Sequence, residues 1–444
     1  MSQQNISPQK VVGIIAEYNP FHNGHAFHIR EAKKLCGASC CIVVMSGDFV
    51  QRGGPAVFDK YTRASMALSS GADLVVEMPP AFALASAEDF ASCGIAVLES
   101  LGVVSHICFG SECGRVAPLM ELAHILVQEP KTFQAALKQE VSLGQSYPKA
   151  RQTALSRYLS SLKCSRDSSS LLAAPNNTLG VEYLKALIKR GSSIVPVTIP
   201  RQGAGYHDES LSSGYSSATA IRKMILEPGR HRGTGAPFAD CGDVSTHGAL
   251  ADALSSQIPP ACLKAASSAV PVSVNDFSLL LSYRLLELAG PAKEQGKRLE
   301  RFADVSPELA LRMSRQALAF SSFEERVAAL KTKQYTYTRI SRCLMHILLN
   351  MTQEDMDTRK RLGYASYIRI LGFRRDSAPL LGRVKKGSRL PLVTKTADAP
   401  RLLSPDARQQ FEQDLFCSHV YQSVVEQKIG IQPKNEYTRS LVIL

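Results

Sequence analysis

The chain has no tryptophan and no long apolar run. Stretches such as Cys40 to Met45 are far shorter than the ~20 residues that a membrane-spanning helix needs. The opening MSQQNISPQK is polar and has no apolar core of the kind a signal peptide requires. There is no internal repeat and no low-complexity tract, which excludes solenoids and fibrous classes. No CxxC pair occurs among the 11 cysteines. An odd, scattered set argues against a disulfide framework and for a reducing cytoplasm. Cys41 lies inside an apolar run, so these thiols are expected in the core, with no metal site. Acid is also in short supply. Asp and Glu number 39 against 52 Lys and Arg, a net charge of +13, and such an excess suits a polyanionic partner such as nucleic acid.

At 444 residues, 45% of them hydrophobic, the chain is long enough for two or three packed units. Strand-like runs (Val11–Ala16, Cys40–Met45, Asp73–Glu77, His106–Phe109, Ile194–Val197) alternate with helical patterns (Gly24–Leu35, Lys60–Ser70, Ala87–Leu101, most of 116–190, Ser217–Leu226). That alternation predicts an α/β fold with a doubly wound, Rossmann-like parallel sheet over residues 1–230. A Gly- and Pro-rich stretch, Glu227 to Gly242, marks a boundary. Helical spacing then recurs in Phe277–Leu288, Pro307–Leu318 and Tyr337–Asn350, predicting a helical domain over 231–358. Residues 359–444 read as a small basic α/β region, with strands at Tyr367–Phe373 and Leu390–Val393.

The chemistry concentrates where the first strand hands over to the first helix, in Glu17-Tyr18-Asn19-Pro20-Phe21-His22-Asn23-Gly24-His25. Open parallel sheets bind ligands beyond the carboxyl ends of their strands. His22 and His25, three apart on a first helical turn, face the same way. Gly24 between them lets a nucleotide approach the backbone, and the helix start is expected to offer unpaired N–H groups to phosphate. Attack on the α-phosphate of ATP builds charge on phosphoryl oxygens, so such a site needs fixed donors rather than a nucleophile of its own. A second cluster, Ser217, Thr219 and Arg222 of SSATAIR, combines hydroxyls, a helix start and a guanidinium, suiting the β- and γ-phosphates.

EYNPFHNGH (17–25), MSGDFVQRGGPA (45–56), FGSE (109–112), PNNTLGVEY (175–183) and SATAIR (217–222) resemble the tRNA(Met) cytidine acetate ligase family of HxGH nucleotidyltransferases. KTKQYTYTR (331–339) and YIRILGF (367–373) extend the likeness more weakly. The resemblance implies an enzyme that activates acetate with ATP as acetyl-adenylate and releases pyrophosphate. It would then acetylate N4 of the wobble cytidine in elongator tRNA(Met), giving N4-acetylcytidine and AMP. Carried over motif by motif, ATP would be bound by Ile15, Ala16, Glu17, Tyr18, Asn19, Pro20, Phe21, His22, Asn23, Gly24, His25, Ala26, Phe27 and His28. Gly110, Asn177 or its neighbour Asn176, and Arg201 would join them. Two features depart from the family: Ala174 stands where a Lys is frequent, and the loop QGAGYHD after Arg201 is glycine-rich.

In MSGDFVQRGGPA, Asp48 and Arg52 are candidates for orienting acetate, and Gln51-Arg52-Gly53-Gly54 for flexible backbone donors. For tRNA, the candidates are Arg369, Arg374, Arg375, Lys385 and Lys386 in a run where Asp376 is the only acid, with Tyr364, Tyr367 and Phe373 as stacking surfaces. Lys331, Lys333 and Arg339 form a second patch, with Tyr335 and Tyr337 among them. Mg2+ as a companion of ATP and the oligomeric state are left open. Two other readings are an HxGH adenylyltransferase that makes a nucleotide cofactor, which would have little use for the basic C-terminal half, and a non-catalytic tRNA-binding protein. An aminoacyl-tRNA synthetase ranks lower because no KMSKS-like element is present.

Overall fold

The computed structural model describes residues 9–161, 171–201, 216–226, 254–289 and 296–444. The Glu227–Gly242 boundary and the QGAGYHD loop lie outside them. β1 (Val11–Ala16), β2 (Cys40–Ser46), β5 (Leu74–Met78), β6 (His106–Ser111) and β7 (Val195–Pro200) form a parallel sheet. A two-residue hairpin, β3 (Phe49–Val50) with β4 (Gly54–Pro55), follows β2. These central strands are continuous apolar runs because helices cover both faces. Successive β2 residues serve opposite cores: Ile42 and Val44 face one, Cys41, Val43 and Met45 the other. The first core packs on the helices Ala87–Ser100 and Pro175–Arg190; the second packs on α1 (Asn23–Cys36) and α2 (Lys60–Ser69). Gly94 is required at the first contact, since a Cβ there would sit 2.5 Å from Ile15.

The segment from 359 onward does not stand apart from this sheet. β8 (Ile368–Phe373) pairs antiparallel with β5, and β9 (Leu392–Val393) and β10 (Val442–Ile443) pair with β8. The order is β10-β8-β5-β2-β1-β6-β7. The apolar residues of YIRILGF would serve an independent sheet or an added edge strand equally well, and the open edge of β5 decides between them. A third core holds the helices of 278–348 together with Phe49 of the hairpin and Tyr421 of the long helix Pro405–Ile429.

Candidate nucleotide site

A cleft of about 760 Å³ opens at the carboxyl ends of β1, β6 and β7, with the β3–β4 hairpin and the helical region forming its other wall. Of the fourteen residues from Ile15 to His28, it is lined by Ile15, Ala16, Glu17, Tyr18, Asn19, His22, Gly24, His25, Phe27 and His28. Phe21 is fully buried in the second core, where Ala26 also packs. Asn23 is spent on the chain at 256–257: its amide donates to the Ser256 carbonyl and its backbone N–H to that of Gln257. Pro20 is buried and follows a cis peptide bond.

The two histidines build the helix start out of themselves. The Gly24 N–H donates to His22 Nδ1 at 3.0 Å, and the His22 N–H donates to His25 Nδ1 at 3.3 Å. A backbone N–H can only donate, so each Nδ1 must be the bare nitrogen and each Nε2 carries the proton. Both rings are thereby fixed as neutral Nε2–H donors, stacked with centroids 3.7 Å apart. Burial first, then Arg201 and Arg222, push His22 down to about 3. Burial also holds His25 well below its usual range, and His28 is pushed down to about 4. Two adjacent imidazolium ions beside two guanidinium groups would repel, and the fold avoids this by keeping the rings neutral.

The expected spare N–H groups of the helix start are already occupied. Asn23 donates to Gln257, Gly24 to His22 Nδ1, and the His25 and Ala26 N–H groups to the His22 carbonyl. The donors presented to the cleft are therefore side chains. His28 Nε2 is a further ring nitrogen there, buried with no hydrogen-bond partner among the described residues.

The SSATAIR cluster meets the β1 loop directly. Arg222 Nη1 donates to the Asn19 carbonyl at 2.7 Å and Nη2 to Thr219 Oγ1. Ser217 Oγ caps the helix Ala218–Leu226 through the Ala220 N–H. Ser217, Thr219 and Arg222 all line the cleft, as do Gly110 and Arg201. Of the two asparagines, Asn176 lines it, while Asn177 is buried. Asn177 Oδ1 accepts from the Glu112 and Cys113 N–H groups, and Glu112 accepts in return from both asparagines. This reciprocal lock aims Asn176 Oδ1 at Arg201 Nη1, 3.2 Å away. Phe90, Phe109, Leu179 and Tyr183 supply an apolar side.

Other expected residues are placed elsewhere. Asp48 is buried outside the cleft and accepts the Lys60 N–H at 2.9 Å, so it shapes the start of α2 and is not available to acetate. Arg52 does line the cleft. The RGG turn is pinned rather than flexible. Gly53 has φ +85°, its carbonyl accepts from Ser341 Oγ, and a Cβ on it would lie 2.4 Å from the Arg342 nitrogen.

Arg369 is 6% exposed and forms ion pairs with Glu77 and Glu436 beside the fully buried Lys60. It cannot reach a tRNA, because an unpaired guanidinium there would be a buried charge and the carboxylates supply its partners. Tyr367 is buried edge-on against Phe411 and bonded to Asp414, which removes it as a stacking surface. Tyr335 is likewise buried, hydrogen-bonded to Ser306 and Glu308. Arg374 pairs with Asp376. Arg375, Lys385, Lys386, Lys331 and Lys333 are exposed, and Arg339 is half-buried over the Tyr335 ring.

One residue that organises the site carried no sequence signal. Arg63, fully buried, donates to the carbonyls of Glu17, Ser46, Gly47 and Phe58, tying the ends of β1 and β2 together. On an apolar helix face its spacing is that of a core residue, and only the converging carbonyls reveal its role.

Residues 9–436 match the family model described as HIGH Nucleotidyl Transferase. The chain is 37% identical over 440 residues to the tRNA(Met) cytidine acetate ligase of Acetivibrio thermocellus, covering 98% of this chain and all of that one. It is also 37% identical over 417 residues to the enzyme of that name from Caldanaerobacter subterraneus subsp. tengcongensis, covering 93% and 94%. Two crystal structures of Thermotoga maritima TmcAL superpose over 98% of this chain and all of theirs. The apo form gives a TM-score of 0.87 at 30% identity, and a form bound with alpha-thio ATP gives 0.83 at 29%. Among the described residues, no helix is long and apolar enough to cross a membrane. The motifs, the cleft at the strand ends and these likenesses run along the whole chain, and it belongs to the tRNA(Met) cytidine acetate ligase family of HIGH nucleotidyl transferases.

Proposed function

We propose that the cleft binds ATP, joins acetate to its α-phosphate and passes the acetyl group to N4 of the wobble cytidine of elongator tRNA(Met). The observation that carries this reading is the pair of neutral Nε2–H imidazoles, His22 and His25, lining one cleft with Arg201 and Arg222. As an acetate oxygen attacks the α-phosphorus and pyrophosphate departs, negative charge grows on the phosphoryl oxygens. Donors already locked in place answer it without reorganising. Arg222, braced on the Asn19 carbonyl, and the hydroxyls of Ser217 and Thr219 suit the departing phosphates. The apolar side at Phe90, Phe109, Leu179 and Tyr183 suits the adenine ring, and Arg52 suits the acetate carboxylate. Among the described residues no group of three or more His, Cys, Asp or Glu could hold a metal ion. A Mg2+ taking part would find its usual oxygen ligands on the triphosphate. Exposed Lys331, Lys333, Lys385, Lys386 and Arg375 are the cations for tRNA phosphates.

The test incubates unmodified tRNA(Met) with the protein, ATP and acetate and analyses its nucleosides by mass spectrometry. N4-acetylcytidine that requires all three components is the expected result. ATP–pyrophosphate exchange that ignores acetate but needs a phosphorylated cofactor precursor would instead identify a cofactor adenylyltransferase.

A further inference from the structure

The outer wall of the cleft carries a carboxylate that neither ATP nor acetate has use for. Among the described residues that line the cleft, the acids are Glu17 and Glu324. Glu17 is engaged at the nucleotide end, where its Oε1 accepts the Gln51 N–H at 2.8 Å. Glu324 lies on the opposite wall, at the start of the helix Phe323–Leu330. Every partner of the proposed reaction carries negative charge: a triphosphate, a carboxylate and a nucleic-acid backbone. A carboxylate facing them is repulsive unless it meets a donor, and a cytosine 4-amino group is such a donor.

Glu324 is also held in place. Its Oε2 accepts from Asn275 Nδ2 at 2.8 Å, and its N–H donates to Asn275 Oδ1 at 3.1 Å. Its other oxygen accepts no hydrogen bond among the described residues. Tyr337, the first residue of the helix Tyr337–Leu348, also lines this wall and is 41% exposed. The Glu324 charge acts on its phenol, which burial and then that charge raise above the usual range. An exposed ring beside a fixed acceptor can hold an unstacked base by its face and its amino edge.

We infer that Glu324 and Tyr337 form the cytidine subsite, with Tyr337 stacking on the wobble base and Glu324 accepting a proton from N4. This rests on the acetate-ligase reading above and assigns its second step. N4 attacks the acyl carbon of acetyl-adenylate, and an N–C bond forms. The bond from the acyl carbon to the phosphate oxygen breaks, and its electron pair leaves with AMP. The surplus N4 proton passes to the Glu324 carboxylate and from there to solvent.

The test compares the wild type with Glu324→Gln, Tyr337→Ala and Tyr337→Phe in the full chain. Acetate-dependent ATP–pyrophosphate exchange reads the first step, and single-turnover transfer to unmodified tRNA(Met) reads the second. Loss of a general base costs about 10²- to 10⁴-fold, so Glu324→Gln is expected to slow transfer by at least about 10²-fold. Exchange and melting temperature should stay near wild type, since the amide keeps the Asn275 bond. Tyr337→Ala should weaken tRNA use about 5- to 100-fold, the worth of one stacked base, and Tyr337→Phe should restore it. Wild-type transfer by Glu324→Gln overturns the inference, as does a parallel fall in exchange, transfer and melting temperature, which would make Glu324 only a helix cap. Absence of acetate-dependent exchange in the wild type would instead sink the underlying reading.

Discussion

Two sets of arginines have opposite fates in this molecule. Arg63, Arg326, Arg359 and Arg369 are turned inward, each held by carbonyls or carboxylates of the chain itself. Arg52, Arg201 and Arg222 line the cleft. Both sets count equally toward the +13 charge, yet only one can meet an anion from outside. The deciding factor is what the neighbouring backbone and acids offer. Around Arg369 three buried carboxylates, Asp48, Glu77 and Glu436, face two cations, Lys60 and Arg369. Burial would lower the Arg369 guanidinium, but Glu436 and Glu77 outweigh it and keep it firmly charged. Coupled to the same cations, Glu436 is held down at about 2.

The contrast is broken most severely at Arg369. Replacing it by Ala leaves Glu77 and Glu436 beside a lone Lys60, and breaking a buried pair costs about 3–5 kcal/mol. Urea unfolding should show that loss. A fall in tRNA affinity with full stability would mean that Arg369 belongs to the outward set after all. On the cleft side, His25→Ala removes a fixed donor that, on the proposed reading, answers developing charge. By analogy with an oxyanion-hole donor, acetate-dependent exchange should fall about 10²- to 10³-fold.

A gentler probe of the cleft is Gly110→Ala. Its added Cβ would meet only Arg201 Cγ, at 3.6 Å, an ordinary contact. The fold should tolerate the change, and urea unfolding should match wild type. A weaker hold on ATP, of about tenfold if the methyl displaces an interaction worth about 1.4 kcal/mol, would then report the nucleotide's own approach to this backbone. Unchanged ATP affinity by calorimetry would remove Gly110 from the binding surface.

The neutral imidazoles make a pH prediction. His28 is pushed from an ordinary 6.5 to about 4, so below 6.5 the unfolded chain binds a proton that the folded chain refuses. The His28 contribution to stability therefore holds level above pH 6.5 and declines as the pH falls from 6.5 toward 4. Urea unfolding at a series of pH values should show a shallower decline over that window for His28→Gln. An equal slope would mean that the ring already carries its proton in the folded state.

The β1 loop and the SSATAIR cluster were legible because their chemistry is local. Histidine spacing, a strand end and a helix start all fall within a few consecutive residues. The buried charges around Arg369 were not, because their partners are remote: Arg369 meets Glu436 across 67 positions, and its neighbour Lys60 meets Ser418 across 358. The helix Pro405–Ile429 escaped for a related reason. Its buried face includes Gln410, Asp414 and Ser418, so its apolar stripe is interrupted by polar residues that are satisfied only once the fold is complete. The antiparallel placement of β8 is of the same kind, since strand pattern carries no direction.

The smallest expected effect belongs to Lys385 and Lys386, adjacent and exposed at the end of the helix Ala378–Gly387. Each is a cation of the outward kind but lies outside the cleft, so its contribution to tRNA binding would be electrostatic and indifferent to sequence. Replacing either with Ala should leave stability unchanged and weaken tRNA binding only modestly. The fingerprint is in the salt dependence: the slope of log affinity against log salt should become shallower by about 0.7 to 0.9 for each phosphate that is no longer neutralised. A slope equal to wild type would place this lysine pair, like Arg369, outside the tRNA footprint and leave Lys331 and Lys333 as the stronger candidates.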